Sequence, residues 1–117
     1  MIRREKYPGE FTLERTYLNA QEKFWDGDKL LTELTRKHGK IKLDPQQHRA
    51  LLNVISLILF GEMAAWKTSA SLTDKIADHT ARLSATAQAH DEARHFRTMT
   101  LYASRNLGAS PNDFIGI

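Results

Sequence analysis

The run Asp44-Pro45-Gln46-Gln47 can do little other than start a helix. Asp at the N-cap, Pro at the first helical position and Gln at N3 form a capping box, which satisfies backbone N–H groups that a first turn leaves without partners. The helix launched there carries Leu51, Leu52, Val54, Ile55, Leu57, Ile58, Leu59 and Phe60. These are apolar nearly all round, which predicts a helix packed on several sides and central to the fold. A second stretch, from about Leu72 to Leu107, contains neither Pro nor Gly and is stopped by Gly108 and then Ser110-Pro111. No segment alternates with period 2 over a useful length, and no repeat of 20 to 50 residues is present. The expected fold class is all-α, a helical bundle.

Two shorter helices are expected ahead of these. Leu13, Tyr17, Ala20 and Phe24 form the stripe of an amphipathic helix that stops near Asp26-Gly27-Asp28. Leu30, Leu31 and Leu34 belong to a second, which ends at His38-Gly39 where glycine can turn left-handed. The 117 residues make one domain: N-terminal helices and loop over 1–43, a long helical hairpin over 44–108 and a tail over 109–117.

Composition excludes several classes of function. With no cysteine there are no disulfides, thiolate ligands or thiol nucleophiles, so any metal must be held by histidine and carboxylates. The net charge of +3 is spread along the chain, unlike the concentrated basic face of a nucleic-acid binder. The longest unbroken apolar run, Leu57 to Phe60, falls far short of the ~18 residues of a membrane span, so no membrane partner is expected. Met1 to Glu10 is charged and lacks the apolar stretch of a secretion signal, and the expected compartment is the cytoplasm.

Two places carry chemistry. Glu62 is the single acid between Asp44 and Asp74, and it falls on the apolar line Leu51, Ile55, Ile58, Glu62, Ala65. A carboxylate there is costly unless paired, protonated or metal-bound. The second place is Gln88-Ala-His-Asp-Glu-Ala-Arg-His, in which Glu92 and His95 stand at i and i+3. Ala81, Ala85, Gln88, Met99 and Tyr102 share their face, a small and uncharged lining of the kind that a metal cavity in a bundle requires. Glu-x-x-His sets a carboxylate oxygen and a ring nitrogen one turn apart, so both can reach one ion. The alternative for Glu92 and His95 is an exposed helix pair with Asp91, Arg94 and Arg97 as its solvated face. For Glu62 it is a core acid satisfied by an arginine or by Trp66.

Gly61-Glu62, then twenty-five residues, then Gln88-x-x-Asp91-Glu92-x-Arg94-His95, resembles the ferritin-like di-iron carboxylate proteins. Within them it is closest to the oxygen-activating branch: ribonucleotide reductase small subunits, bacterial multicomponent monooxygenase hydroxylases and aryl-amine or acyl-CoA oxygenases. The resemblance covers roughly Leu51 to Tyr102. It implies that Glu62 is a terminal ligand, Glu92 a bridging ligand and His95 the nitrogen ligand of a di-iron centre. Asp91, Gln88 and Arg94 would support them, Asp91 by accepting from the ring N–H of the histidine in the other Glu-x-x-His. Such a site has a second glutamate and a second Glu-x-x-His, and after His95 the only acid here is Asp113. The chain therefore corresponds to the N-terminal half of a bundle. Either it is a piece of a longer protein, or two copies complete the site around a two-fold axis.

A shared metal also places the turn. Ser71-x-x-Asp74 could cap a new helix, but a break there would put Glu62 and Glu92 ~18 Å out of level at ~1.5 Å per residue. Level ligands require the long helix to run through Thr73 and reverse around Ala77 to Thr80, with Asp78 or Thr80 as the next N-cap.

The function that the resemblance implies is that of a di-iron, O2-activating oxidoreductase of the hydroxylase or oxygenase type, supplied with electrons by a separate reductase, since no GxGxxG fingerprint occurs. The alternatives are a half-length iron-binding ferroxidase completed by homodimerisation and a metal-free helical interaction module. His79 and His90 fall off the ligand stripe, His38 and His48 flank caps, and Trp25, Trp66 and Tyr102 are expected in the core. In the reductase branch a radical tyrosine follows the motif histidine by four residues; Met99 stands at that position here, which disfavours radical storage.

Overall fold

The computed structural model describes residues 12–110, and all four helices expected from the sequence are present. Helix α1 spans Leu13–Glu22, capped by the Thr12 hydroxyl on the Arg15 N–H, and α2 spans Gly27–His38, capped by the Asp26 carboxylate. Helix α3, Pro45–Lys75, opens on the capping box, with Asp44 and Gln47 each accepting from the other's backbone N–H. Helix α4, His79–Leu107, is capped by Asp78 and closed by Gly108 at φ 66°, whose left-handed turn lets the Ala109 N–H reach the Ala103 carbonyl at 3.0 Å. No strand occurs among the described residues. The reversal between α3 and α4 at Ile76 to Asp78 lies where level ligands required it, and the Ser71 capping signal is overridden inside α3. Met1 to Glu10, and the tail from Pro111 to Ile117, lie outside the described residues.

Helices α3 and α4 form an antiparallel hairpin, while α1 and α2 pack in succession along α4. Tyr17 and Phe24 meet α4 near Thr86 and His90, Gly27 meets Thr98 and Thr35 meets Asn106, so both short helices run parallel to α4. The central element is therefore α4 and not α3, which corrects the expectation. One face of α3 buries Ile55 and Leu59 against Ala103, Leu107 and Ala109, with Leu43, Leu51, Leu52, Phe96, Met99 and Tyr102 packed around them. Its other apolar residues, Val54, Leu57, Ile58, Phe60 and Leu72, are exposed. Apolarity all round thus reflects one buried side and one uncovered side.

Counting unbroken apolar runs also proves too strict for α3. It contains an 18-residue window of mean hydropathy 1.4, long and apolar enough by length and composition to cross a membrane. Gly61, Met63, Ala64 and Ala65 prolong a stretch that Asn53, Ser56 and Glu62 break into short runs. Two aromatics also differ from expectation: Trp25 and Trp66 are more than a third exposed, whereas Tyr102 packs on the core.

His48, which carried no signal in the sequence, ties the hairpin ends together. Its Nε2 lies 2.7 Å from the Leu107 carbonyl. A carbonyl can only accept, so the ring N–H donates to one of the backbone oxygens that the end of α4 leaves without an intrahelical partner.

Candidate metal centre

Helix α3 delivers Glu62 and α4 delivers Glu92 and His95 to one point. Each offers a ligand atom, and the three atoms lie within 4.8 Å of one another. The His95 Nδ1 is 3.4 Å from Glu92 Oε2 and 3.5 Å from Glu62 Oε2. The Glu92 side chain is only 11% exposed, and Glu62 and His95 are partly open to solvent. The i,i+3 spacing places Glu92 and His95 on the flank of α4 that meets α3, and the late turn brings Glu62 level with them.

Two carboxylates held this closely cannot both ionise without repulsion. The hydrogen bond between them, followed by burial and the Glu92 charge, raises the Glu62 pKa above the ordinary glutamate value, with His95 opposing. The same hydrogen bond lowers that of Glu92, burial opposing it, and the Gln88 amide, which donates to Glu92 Oε1, adds to the lowering. Of the two, Glu62 is the carboxylate whose protonated form is favoured and Glu92 the one whose charged form is favoured.

The supporting residues are placed as follows. Gln88 orients Glu92. Asp91 accepts from Arg94 Nη2 at 2.9 Å on its own helix. Arg94 is not part of a solvated face: its side chain is 13% exposed, with Cζ 4.5 Å from the centre of the Trp25 ring and 5.0 Å from that of Phe24. Its Nε and Nη1 are buried without a hydrogen-bond partner. Trp25 stacks on His95, centroids 6.0 Å apart and planes 15° from parallel, and Phe24 stacks on His90 at 5.8 Å. His90 and His79 stand outside the donor cluster.

Sequence reasoning missed this aromatic bracket. Phe24 reads as the end of the α1 stripe and Trp25 as core, yet α1 stops at Glu22 and both rings sit in the connection to α2. The available signal was an aromatic pair directly before the Asp26-Gly27 helix start.

Two carboxylate oxygens and an imidazole nitrogen suit a divalent first-row metal, iron included. The donor set fits half of the di-iron constellation of ferritin-like bundles, in which two helices each give a Glu and two each give a Glu-x-x-His. Here α3 gives the lone Glu and α4 the Glu-x-x-His. The charge-sharing of Glu62 and Glu92 is what a bound cation would relieve.

Compared with known families, residues 9–116 match the model of methane/phenol/alkene hydroxylase. No curated protein and no solved structure matches the chain.

Proposed function

Because the chain belongs to the methane/phenol/alkene hydroxylase family, we propose that Glu62, Glu92 and His95 are ligands of a di-iron centre in an O2-activating oxidoreductase of the hydroxylase type. The carrying observation is the convergence of the three donors from two helices. When bound, a di-iron centre supplies redox chemistry that activates dioxygen toward an organic substrate.

The chain's own residues do the rest. Glu62 and Glu92 offer carboxylate oxygens and His95 its Nδ1. Gln88 holds one Glu92 oxygen, which leaves the other, Oε2, facing His95. A cation favours the ionised form of Glu62, so metal binding and the protonation of Glu62 are linked.

The remaining donors come from outside the described residues of a single copy, from further chain or from a second copy. The exposed Val54 and Ile58, which precede Glu62 on α3 by about two turns and one, belong to the surface that such a contribution would cover. A separate reductase supplies electrons in this reading, and the compartment is the cytoplasm.

Anaerobic Fe(II) titration of the wild-type chain and of Glu92→Ala, with iron per chain set against intact mass, tests the assignment. Wild type should bind and Glu92→Ala should not. Equal affinities in the two would remove the metal-centre reading.

A further inference from the structure

We propose that Trp25 is a positioning residue for His95: its indole, pinned by Arg94, fixes the rotation of the imidazole so that Nδ1 faces Glu62 and Glu92. This rests on the metal-centre reading above and concerns a residue from a different part of the chain.

A histidine ring on a helix has two soft torsions, and the second is broad, so nothing in the Glu-x-x-His spacing by itself aims Nδ1 rather than Nε2 or a ring carbon at the ion. Something must hold the ring. Among metal-binding histidines the usual device is a hydrogen bond from the other ring nitrogen. Here the contact on the ring is a face: Trp25 lies nearly parallel to it, 15° off, in the offset range at which aromatic pairs attract.

A stacked ring positions its neighbour only if it is held itself. Trp25 sits in the short connection between α1 and α2, immediately before the Asp26 cap. On its ring lies the Arg94 guanidinium, 4.5 Å from the centroid. Arg94 is fixed in turn by Asp91 at 2.9 Å and by Phe24. Its buried Nε and Nη1 have no hydrogen-bond partner, and the nearby aromatic faces offer the attraction that oxygen acceptors would otherwise provide. The bracket thus runs Asp91, Arg94, Trp25, His95. Asp91 and Arg94, nominal supports of the ligands, act on the site through an indole and not through a hydrogen bond to the histidine.

The neighbouring Phe24 supports Arg94 but does not touch His95, so it separates the two roles. It comes from the same connection and stacks equally flat, at 14°, on His90, which is not in the donor cluster. If the connection merely glued α1 and α2 to α4, losing either ring would have the same effect on the metal.

The test uses the full 117-residue chain and Co(II) as the probe, read by its visible ligand-field absorption, with a thermal melt of every variant. Trp25→Ala should bind Co(II) about 10-fold more weakly and with a shifted spectrum, a loss in the range seen when groups that orient a metal ligand are removed. Trp25→Phe, which keeps a stackable ring, should stay within about 3-fold of wild type, and Phe24→Ala, which removes one support of Arg94 but leaves the indole on His95, should lose less than Trp25→Ala. Trp25→Ala within about 3-fold of wild type and spectrally unchanged would overturn the proposal, and so would equal losses in Trp25→Ala and Phe24→Ala. Absence of Co(II) binding by the wild-type chain would instead overturn the metal-centre reading, and this proposal with it.

Discussion

Glu62 and Glu92 store an electrostatic conflict that only a proton or a cation resolves. Glu62's raised pKa means that its protonated form favours the metal-free fold. That contribution is complete below the ordinary glutamate value and is lost as pH rises through the raised one. Glu92, with its pKa lowered, works in the opposite sense, and its contribution is lost only as pH falls through the lowered value. Metal-free wild type should therefore lose stability through the Glu62 branch as pH rises from the ordinary glutamate range through the raised pKa. Glu62→Gln keeps a donor for Glu92 that does not titrate. It should melt a few degrees above wild type at neutral pH, corresponding to about 1 kcal/mol, while losing metal affinity. Thermal melts in chelator across a pH series that starts at the ordinary glutamate value check this; a pH-independent wild type with the same melting temperature as Glu62→Gln would refute it. Glu62 stood out in the sequence because a lone acid on an apolar line is anomalous whatever the fold. Trp25 did not, because an aromatic next to a helix cap has many possible partners, and only the docking of α1 and α2 selects His95.

Among the elements, α2 depends on one close approach. A Cβ on Gly27 would lie 2.0 Å from Thr98 Oγ1 and about 3 Å from that residue's Cβ and Cγ2, all on the short, branched side chain of a helix residue that cannot swing clear. Gly27→Ala should push the start of α2 off α4 at a cost of about 1 to 3 kcal/mol, although alanine is the better helix former. A melt of Gly27→Ala that equals or exceeds wild type would show that the contact yields easily. Helix boundaries were readable because Asp44, Asp78, Gly39 and Gly108 act locally, through caps and left-handed turns. Layer order was not. The apolar surface of α3 is compatible with a middle or an edge position, whereas α4, with smaller and more polar residues, owes its middle position to accepting neighbours on opposite sides.

For the whole molecule, the flat stacking of α1 and α2, α4 and α3 leaves the outer side of α3 uncovered, with Leu57 74% and Phe60 60% exposed. Large apolar patches on a soluble surface are ordinarily covered by something. The chain by itself should self-associate at tens of micromolar, and Leu57→Lys with Phe60→Lys should reduce that. Sedimentation velocity of both proteins is the measurement, and a wild-type chain that stays monomeric at that concentration would count against association through this face. The layer order also dictates the sequence in which parts of the molecule come loose. Because α1 and α2 are anchored chiefly to α4, they can open without disturbing the α3–α4 hairpin, whereas α4 cannot exchange its central amides until both of its neighbours have let go. Hydrogen exchange should then divide the chain into a fast N-terminal unit and a slow hairpin. Trp25 leaves with the fast unit, so His95 would lose its covering ring during fluctuations far smaller than global unfolding.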